Sequence, residues 1–363
     1  MKLQVTQENL NQALSSVGRV ASGRNTLPIL SNVLIKTANN RLSLSATNLD
    51  IAIVHYIGAK ISEEGSITVP ARLMQDFVSS LPAGVIELEL TNTKLKVTTE
   101  QYHSVVNGIV ADDFPVMPTI SNGTTWKLDG SLLKKGLQQT VFAASSDETR
   151  QVLTGVFLHT QDTKLYVAAT DSYRLAEKDL GKNTEDVKML VPASAMNDLL
   201  RIMGDFEGEV NITHDGQQVL FQVGDVELTA RLVEGNYPDY QKLIPSEFAS
   251  SIQLSRADFV NVTKVSSLFA RESAGSVTIE LDSKTSSLNI RSVASQIGEN
   301  TATATGKVVG DGSITLNSRY LLDALQALTG DEVYFGFNGK LEPTILKDPK
   351  DLTYKHIIMP LKS

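Results

Sequence analysis

The chain carries one pattern three times, with the three starts about 120 residues apart. Each copy has a small apolar start, a stretch with apolar residues at helical spacing, and then a run that alternates apolar and polar residues. The copies are VPARLMQDFVSSLPAGVIELEL from Val69, VPASAMNDLLRIMGDFEGEVNIT from Val191 and LNSRYLLDALQALTGDEVYFGF from Leu316. Solenoid repeats have a much shorter period, so each copy is expected to be a domain of its own.

A second set of segments opens each repeat and predicts another helix there. The segments are VTQENLNQALSSV, LDGSLLKKGLQQTV and LSRADFVNVTKV. Thr6, Asp129 and Ser255 are expected to be N-caps, because their side-chain oxygens can accept amide hydrogens of a first helical turn. The predicted apolar faces of the other three helices are Leu73, Phe77 and Leu81; Met196, Leu199, Leu200 and Met203; and Leu321, Leu325 and Leu328.

These patterns predict an α+β fold of three repeated domains, each with two helices packed on antiparallel sheet. Between the helices lie paired alternating runs around a polar turn, such as NVLIKTANNRLSLSAT and GVFLHTQDTKLYVAAT, which are typical of hairpins. About eight strands per repeat are expected. Loop-like stretches SNGTT and PSEFAS place the boundaries of the predicted domains at residues 1–122, 123–246 and 247–363.

Composition narrows the class of protein. No run of 18 apolar residues occurs, and the N-terminus lacks the apolar core of a signal peptide, so neither a membrane span nor secretion is expected. The absence of cysteine excludes disulfides and thiolate metal sites and suits a reducing cytoplasm. The net charge of −8 argues against a uniformly basic chain, but acidic residues are concentrated in residues 123–246. A locally basic, nucleic-acid-binding face elsewhere therefore stays open.

Motifs of known catalytic sites are missing from the sequence. There is no Walker A loop, GxGxxG, HExxH or GxSxG motif, and no two of the five histidines have helical ligand spacing. Asp112 and Asp113 are adjacent carboxylates, but they precede a Phe-Pro step that is matched by a Tyr-Pro step at Tyr237. A feature found at equivalent ends of two repeats is better interpreted as a structural crossover than as an acid–base pair.

The stretch AATDSYRLAEKD groups Asp171, Tyr173 and Arg174 within four positions. One interpretation is an active site; the other is a turn with a surface Asp171–Arg174 ion pair worth less than about 1 kcal/mol. The equivalent stretches of the first and third repeats, ATNLD and SVASQ, lack the Tyr-Arg-Leu sequence. The turn is therefore expected to be structural in all three repeats, with an additional role in the middle repeat alone.

Five short motifs, in this order, carry a resemblance to a known family. They are RNTLPIL from Arg24, VPAR from Val69, ATD with RLA around Asp171, YPDY from Tyr237 and IMPL from Ile358. Along essentially its whole length the chain resembles the bacterial DNA polymerase III beta subunits, the replicative sliding clamps. The resemblance implies a head-to-tail homodimer that forms a ring around double-stranded DNA, without catalysis or a cofactor.

The resemblance also implies a cytoplasmic, nucleoid-associated protein with no membrane partner. Its expected protein partners are the DNA polymerase III alpha subunit, the clamp loader and other proteins that carry a short clamp-binding motif with Leu and Phe. Two alternatives stay open at this point: a clamp-like paralogue that acts as a partner-binding scaffold, and an enzyme built on the residues of the 171–174 stretch.

Three sets of functional residues follow from the resemblance, by matching position. The DNA-facing set is Arg24, Arg72, Lys134, Lys135, Arg150 and Gln151. The partner-peptide set is Leu153, Thr170, Ser172, Tyr173, Arg174, Leu175, Pro238, Lys242, Leu243, Asn317, Tyr320, Pro343, Ile357, Ile358, Met359, Pro360, Leu361 and Lys362. The set at the subunit seam is Val106, Leu268 and Phe269.

Overall fold

The structure is a computed structural model. The structure describes residues 1–21, 27–38, 40–294 and 298–361. The chain packs as two compact units: the first comprises Met1–Ser131 and Asn197–Leu232, and the second comprises Leu132–Met196 and Val233–Ser363.

Six α-helices form within the described residues, two in each repeat, as the sequence predicts. They are α1 (Gln7–Ala21), α2 (Ala71–Ser80), α3 (Gly130–Thr140), α4 (Ala193–Met203), α5 (Arg256–Phe269) and α6 (Ser318–Ala327). Two predicted N-caps are confirmed, since Thr6 Oγ1 accepts the Asn9 N–H at 3.3 Å and Ser255 Oγ accepts the Asp258 N–H at 3.3 Å. The cap at Asp129 stays a prediction.

The strands follow the repeats. The first repeat contains β1 (Lys2–Thr6), β2 (Asn32–Ala38), β3 (Arg41–Thr47), β4 (Ile51–Gly58), β5 (Lys60–Glu63), β6 (Ser66–Pro70), β7 (Val85–Thr91), β8 (Lys94–Thr98) and β9 (His103–Asn107). The second contains β10 (Thr124–Asp129), β11 (Gly155–Gln161), β12 (Lys164–Thr170), β13 (Arg174–Lys182), β14 (Lys188–Pro192), β15 (Glu209–His214), β16 (Gln218–Val223) and β17 (Val226–Arg231). The third contains β18 (Ser250–Ser255), β19 (Ser276–Asp282), β20 (Ser287–Ala294), β21 (Gly298–Val309), β22 (Gly312–Asn317), β23 (Glu332–Phe337), β24 (Thr344–Lys347) and β25 (Tyr354–Ile358).

The first unit contains two antiparallel sheets. A five-stranded sheet has the order β5-β1-β7-β8-β9, and an eight-stranded sheet has the order β10-β15-β16-β17-β4-β3-β2-β6. In the larger sheet β17 pairs with β4, so that Ala230 lies opposite Ile51. Strands of the first and second repeats therefore belong to one sheet.

The second unit contains a twelve-stranded sheet with the order β14-β11-β12-β13-β25-β24-β23-β18-β21-β20-β19-β22. Its β13 pairs antiparallel with β25, with Arg174 opposite Ile358 and Leu175 opposite Ile357. This pairing brings the middle repeat's turn beside the last strand of the chain. Because one sheet joins the second repeat to the third, the compact units differ from the repeats; the domain boundaries at 122 and 246 stay predictions.

Helix α2 buries a different face from the predicted one, although the predicted Leu81, just after the helix, is buried. Met74 and Val78 have no exposed surface, whereas Leu73 is 54% exposed and Phe77 is only half-buried. Both sets of positions fit a period of 3.6 residues, so spacing alone does not choose between them. The predicted faces of the other two helices are confirmed at Met196, Leu199 and Met203 and at Leu321, Leu325 and Leu328, all of them buried.

Candidate partner-binding site and nucleic-acid interface

Residues 171–174 form a turn that hydrogen bonds fix from both sides. Asp171 Oδ1 accepts the N–H groups of Tyr173 at 2.8 Å and Arg174 at 2.9 Å. Thr170 Oγ1 accepts the Ser172 N–H at 3.1 Å and donates to the Arg174 carbonyl at 2.6 Å. Asp171 is thus a turn residue, as the comparison of the three repeats predicts, and its carboxylate is used by backbone amides.

Arg174 lies at the centre of a second set of contacts. Its Nε donates to Asp171 Oδ2 at 3.1 Å, its Nη1 to Asp323 Oδ2 at 2.6 Å and its Nη2 to the Phe142 carbonyl at 2.7 Å. The guanidinium carbon also lies 4.6 Å from the centre of the Tyr320 ring and 5.3 Å from that of Phe142. We call these five residues the arginine cluster.

The interpretation of Asp171 and Arg174 as a surface ion pair is wrong. Their side chains are only 13% and 11% exposed. The pair is covered because Arg174 begins a strand inside the twelve-stranded sheet and extends its guanidinium towards α6. A charge at this depth needs compensation, which two carboxylates, a carbonyl and two aromatic faces supply.

The last strand and the residues after it lie beside the turn. The Met359 N–H donates to the Tyr173 carbonyl at 2.8 Å, and the Leu361 N–H donates to the Thr315 carbonyl at 2.9 Å. Ile357 packs in a buried cluster with Leu175, to which Ala168, Tyr240 and Ile345 also belong. Met359, Pro360 and Leu361 are half-buried, so this segment presents apolar surface next to the turn.

Other members of the predicted peptide set lie on the segments around this cluster. Tyr173 and Leu243 are 55% and 51% exposed, so both side chains present apolar surface. Lys242 is exposed and paired with Asp239 at 2.7 Å. Asn317 caps α6 through its Oδ1, which accepts the N–H groups of residues 319 and 320. Of the remaining members, Ile358 and Leu153 are buried, Pro343 is half-buried, Pro238 is exposed, and Lys362 lies outside the described residues.

Two histidines beneath this surface are neutral at physiological pH. Burial and the nearby charge of Lys188 lower the pKa of His159 to about 4, and its Nε2 lies 2.8 Å from the Tyr240 hydroxyl. Burial and the charge of Arg174 lower the pKa of His356 to about 3, and its ring stacks on Phe142. Neither group is poised to exchange protons near pH 7, so the surroundings of the turn do not resemble an acid–base site.

The predicted DNA-facing residues have unequal surroundings. Arg72 is 90% exposed on α2, with Asp76 at 4.0 Å, whereas Lys135 on α3 pairs with Asp351 at 3.2 Å. Arg150 pairs with Asp147 at 2.9 Å and also donates to the Ser172 hydroxyl at 3.3 Å, which places it against the 171–174 turn. Lys134 is half-buried on α3, Gln151 is exposed, and Arg24 lies outside the described residues.

A cleft of about 1190 Å³ in the first unit adds residues that sequence reasoning missed. Arg19 and Arg201 line it together with Arg72. Arg201 pairs with Asp198 at 2.8 Å, and burial raises the pKa of that carboxyl despite the neighbouring arginines. The sequence feature that could have identified these two arginines is their equivalent position, because Arg19 and Arg201 both occupy the last turn of their helices.

Asp323 and Phe142 of the arginine cluster were missed as well, and no local sequence pattern marks them.

The predicted seam residues lie on β9 of the first unit and on α5 of the second. Strand β9 is at one end of the five-stranded sheet; Val106 on it is buried, and its neighbour Val105 is 57% exposed. On α5, Leu268 is 51% exposed and Val265, one turn earlier, is 47% exposed, while Phe269 is half-buried. The alternation along β9 and the helical spacing on α5 identify Val105 and Val265 as additional exposed apolar positions.

None of the helices in the described part of the chain is both long and apolar enough to span a bilayer.

Comparison with known proteins gives matches along the whole chain. Family models of the DNA polymerase III beta subunit match as the N-terminal domain at residues 1–118, the central domain at 127–239 and the C-terminal domain at 241–362. Proteins named beta sliding clamp from Synechocystis and Synechococcus elongatus are 32% and 33% identical, covering 100% of this chain and 99% of their own length.

Solved structures agree with these matches. The DNA polymerase sliding clamp of Bacillus subtilis is 29% identical with a TM-score of 0.94, covering 100% of this chain and 99% of that one. The sliding clamp of Bartonella birtlesii, solved bound to griselimycin, is 30% identical with a TM-score of 0.95 and complete coverage of both chains.

Proposed function

The chain belongs to the DNA polymerase III beta subunit family, and on that premise we propose how its residues perform the family's task. Its function is that of a sliding clamp, a non-enzymatic processivity factor for DNA polymerase. The observation that carries this conclusion is the match of all three repeats, in order and over the full length, to the three domains of that family. Two subunits joined head to tail form a ring around double-stranded DNA, a heterologous contact that closes on itself.

The ring works by topology. A polymerase bound to a ring that encircles DNA stays at a high effective concentration near the primer end, and no bond is made or broken by the ring. Sliding requires phosphate contacts that are weak and exchangeable, without reading of bases. The net charge of −8 fits this requirement, because a strongly basic chain would bind DNA too tightly to slide.

We assign the DNA contacts to the basic residues of the predicted set, with Arg72 the most accessible of those described. Arg19 and Arg201, which share the cleft with Arg72, extend this set. Each arginine there has an acidic neighbour, either at the cleft or within its own helix, which keeps the local positive charge modest. Contacts of that kind suit a protein that must release each phosphate quickly.

We assign partner binding to the surface around the 171–174 turn, the residues after β25 and the start of α6. Exposed Tyr173 and Leu243, with half-buried Met359, supply apolar area for the Leu and Phe side chains of a linear motif. A methionine suits a pocket that serves polymerase, clamp loader and repair proteins, because its side chain adapts to different shapes.

We place the seam between the β9 edge of one subunit and the α5 face of the other, with Val105 and Val265 joining the predicted Val106, Leu268 and Phe269. We further propose that the protein works in the cytoplasm at the nucleoid, where its DNA and its partners are found.

Removal of residues 359–363 tests the partner site. Met359 and Leu361 follow the last strand and are bonded through their amides to the Tyr173 and Thr315 carbonyls, so their loss should leave the fold intact and abolish binding of a fluorescent Leu/Phe-motif peptide. Anisotropy measures the binding and circular dichroism the fold. Unchanged peptide affinity in the truncated protein would refute the assignment of the pocket.

A further inference from the structure

The arginine cluster joins three separate segments of the second unit through one side chain. Arg174 starts β13, Phe142 follows α3, and Tyr320 and Asp323 lie on α6. The guanidinium lies against two aromatic rings while its edge donates to two carboxylates and one carbonyl. A planar group with donors in a fixed fork can make all these contacts at once, which a lysine cannot.

Asp323 makes the shortest contact in the cluster, 2.6 Å from Asp323 Oδ2 to Arg174 Nη1. It lies one turn after Tyr320, whose ring covers the guanidinium. These two positions share one face of the helix. Asp323 is therefore the residue through which α6 holds Arg174 electrostatically, while Tyr320 holds it by stacking.

Phe142 contributes twice. Its carbonyl accepts from Arg174 Nη2, and its ring contacts both the guanidinium and the ring of His356, with centroids of the two rings 5.6 Å apart. His356 in turn lies on β25, opposite Ala176. The stack thus connects the turn to the strand from which residues 359–361 emerge.

We propose that Asp323 and Phe142 are positioning residues of the partner-binding site: they fix Arg174, and through it the spacing between the 171–174 turn, α6 and the end of β25. The inference rests on the assignment of the pocket given above. Neither residue needs to touch the partner peptide. Asp323 is 31% exposed, and the ring of Phe142 is contacted by Arg174 and by His356.

The test measures peptide binding by anisotropy in four variants. Asp323→Ala removes a charged hydrogen-bond acceptor and should weaken binding about tenfold. Asp323→Asn keeps an acceptor oxygen at nearly the same place and should weaken it only about twofold. Phe142→Leu keeps the carbonyl but removes the ring, for a loss of about threefold. Glu209→Gln is the control. It removes an exposed carboxylate that pairs with Lys127, both residues lying in the first unit whereas the arginine cluster belongs to the second, and the variant should bind as wild type.

A double-mutant cycle with Arg174→Ala separates positioning from direct contact. If Asp323 acts through Arg174, Asp323→Ala has no further effect once Arg174 is replaced. The Nε–H resonance of Arg174, followed by NMR without peptide, should broaden or exchange faster in Asp323→Ala, and recover in Asp323→Asn. The thermal midpoint of each variant checks that the chain still folds.

Three results would overturn the proposal. The first is Asp323→Ala binding the peptide as tightly as wild type. The second is the same tenfold loss in the Arg174→Ala background, which would make Asp323 a direct contact. The third is failure of the wild-type protein to bind the peptide, which would reject the pocket assignment together with this inference. If wild type binds and Asp323→Ala binds equally well, the inference alone is rejected.

Discussion

At the scale of single residues, Asp171 is the clearest case of a group whose type suggests chemistry and whose contacts indicate structure. Both its oxygens are occupied, Oδ1 by two backbone amides and Oδ2 by Arg174. An asparagine can keep the two amide bonds but not the charge. The two roles can therefore be separated by substitution.

Replacing Asp171 by Asn should cost less than half the stability lost on replacing it by Ala. We expect Asp171→Ala to lower the free energy of unfolding by about 2 kcal/mol, since two partly buried amides lose their acceptor and Arg174 loses a charged partner. Urea denaturation of both variants measures the difference. Equal losses would mean that the charge, and not the turn, is what the residue supplies.

Acid should destabilise the protein through His356. Its pKa is about 3 in the folded chain and about 6.5 when unfolded, so below pH 6.5 only the unfolded chain takes up the proton. The contribution of neutral His356 to the free energy of unfolding is therefore complete above pH 6.5. It decreases as the pH falls, by about 2 kcal/mol on going from above pH 6.5 to pH 5. His159 acts in the same direction down to about pH 4.

The measurement is the thermal midpoint at pH 7 and pH 5 for wild type, His356→Gln and His103→Gln. The His356 variant should lose less stability on acidification than wild type, and the variant of exposed His103 should behave as wild type. An acid sensitivity that is the same in all three proteins would contradict the assignment to His356.

At the scale of elements, helix α3 illustrates how contacts join neighbouring repeats. Lys135 pairs with Asp351, Gln139 donates to the Ala327 carbonyl at 2.8 Å, and the segment after the helix supplies Phe142. Asp351 also binds the buried Lys178 at 3.1 Å. Although partial burial opposes it, hydrogen bonds from Thr353, Lys178 and Lys135 hold the pKa of Asp351 well below its usual range. The loop at residues 348–351 is therefore anchored to α3 and β13.

The exposed face of α5 should control assembly. Replacing Leu268 by Asp places a charge on a half-exposed apolar position of the proposed seam, and we expect the dimer dissociation constant to rise at least about tenfold. Light scattering over a dilution series measures it. Leu341→Asp, at a similarly exposed leucine outside the seam, is the control. Identical dilution curves for both variants would place the seam elsewhere.

Local patterns predict the elements well and their partners poorly. Six helices and most hairpins follow from apolar spacing and polar turns, and two of three proposed caps are confirmed. The face that α2 buries was predicted wrongly, because Leu73 and Met74 both fit the helical period. The choice depends on which side the sheet contacts, and that is set by residues far away in the chain.

At the scale of the whole molecule, the pairing of β13 with β25 had no signal in either strand. Its register joins residues 174–178 to residues 354–358. The local sequence of a strand does not specify which distant strand becomes its pairing partner. The same holds for Asp323, which becomes part of the site only because α6 lies next to the turn. The resemblance to a family supplied these long-range relations for most of the peptide set, and Asp323 and Phe142 were outside it.

The central claim is that the protein holds DNA by encircling it. The most direct measurement loads labelled protein, with its clamp loader, onto a nicked circle and onto the same DNA linearised, and then separates bound from free protein by gel filtration. Encirclement predicts that the protein stays on the circle and is lost from the open ends of the linear form. Equal retention on circular and linear DNA would contradict a topological mechanism.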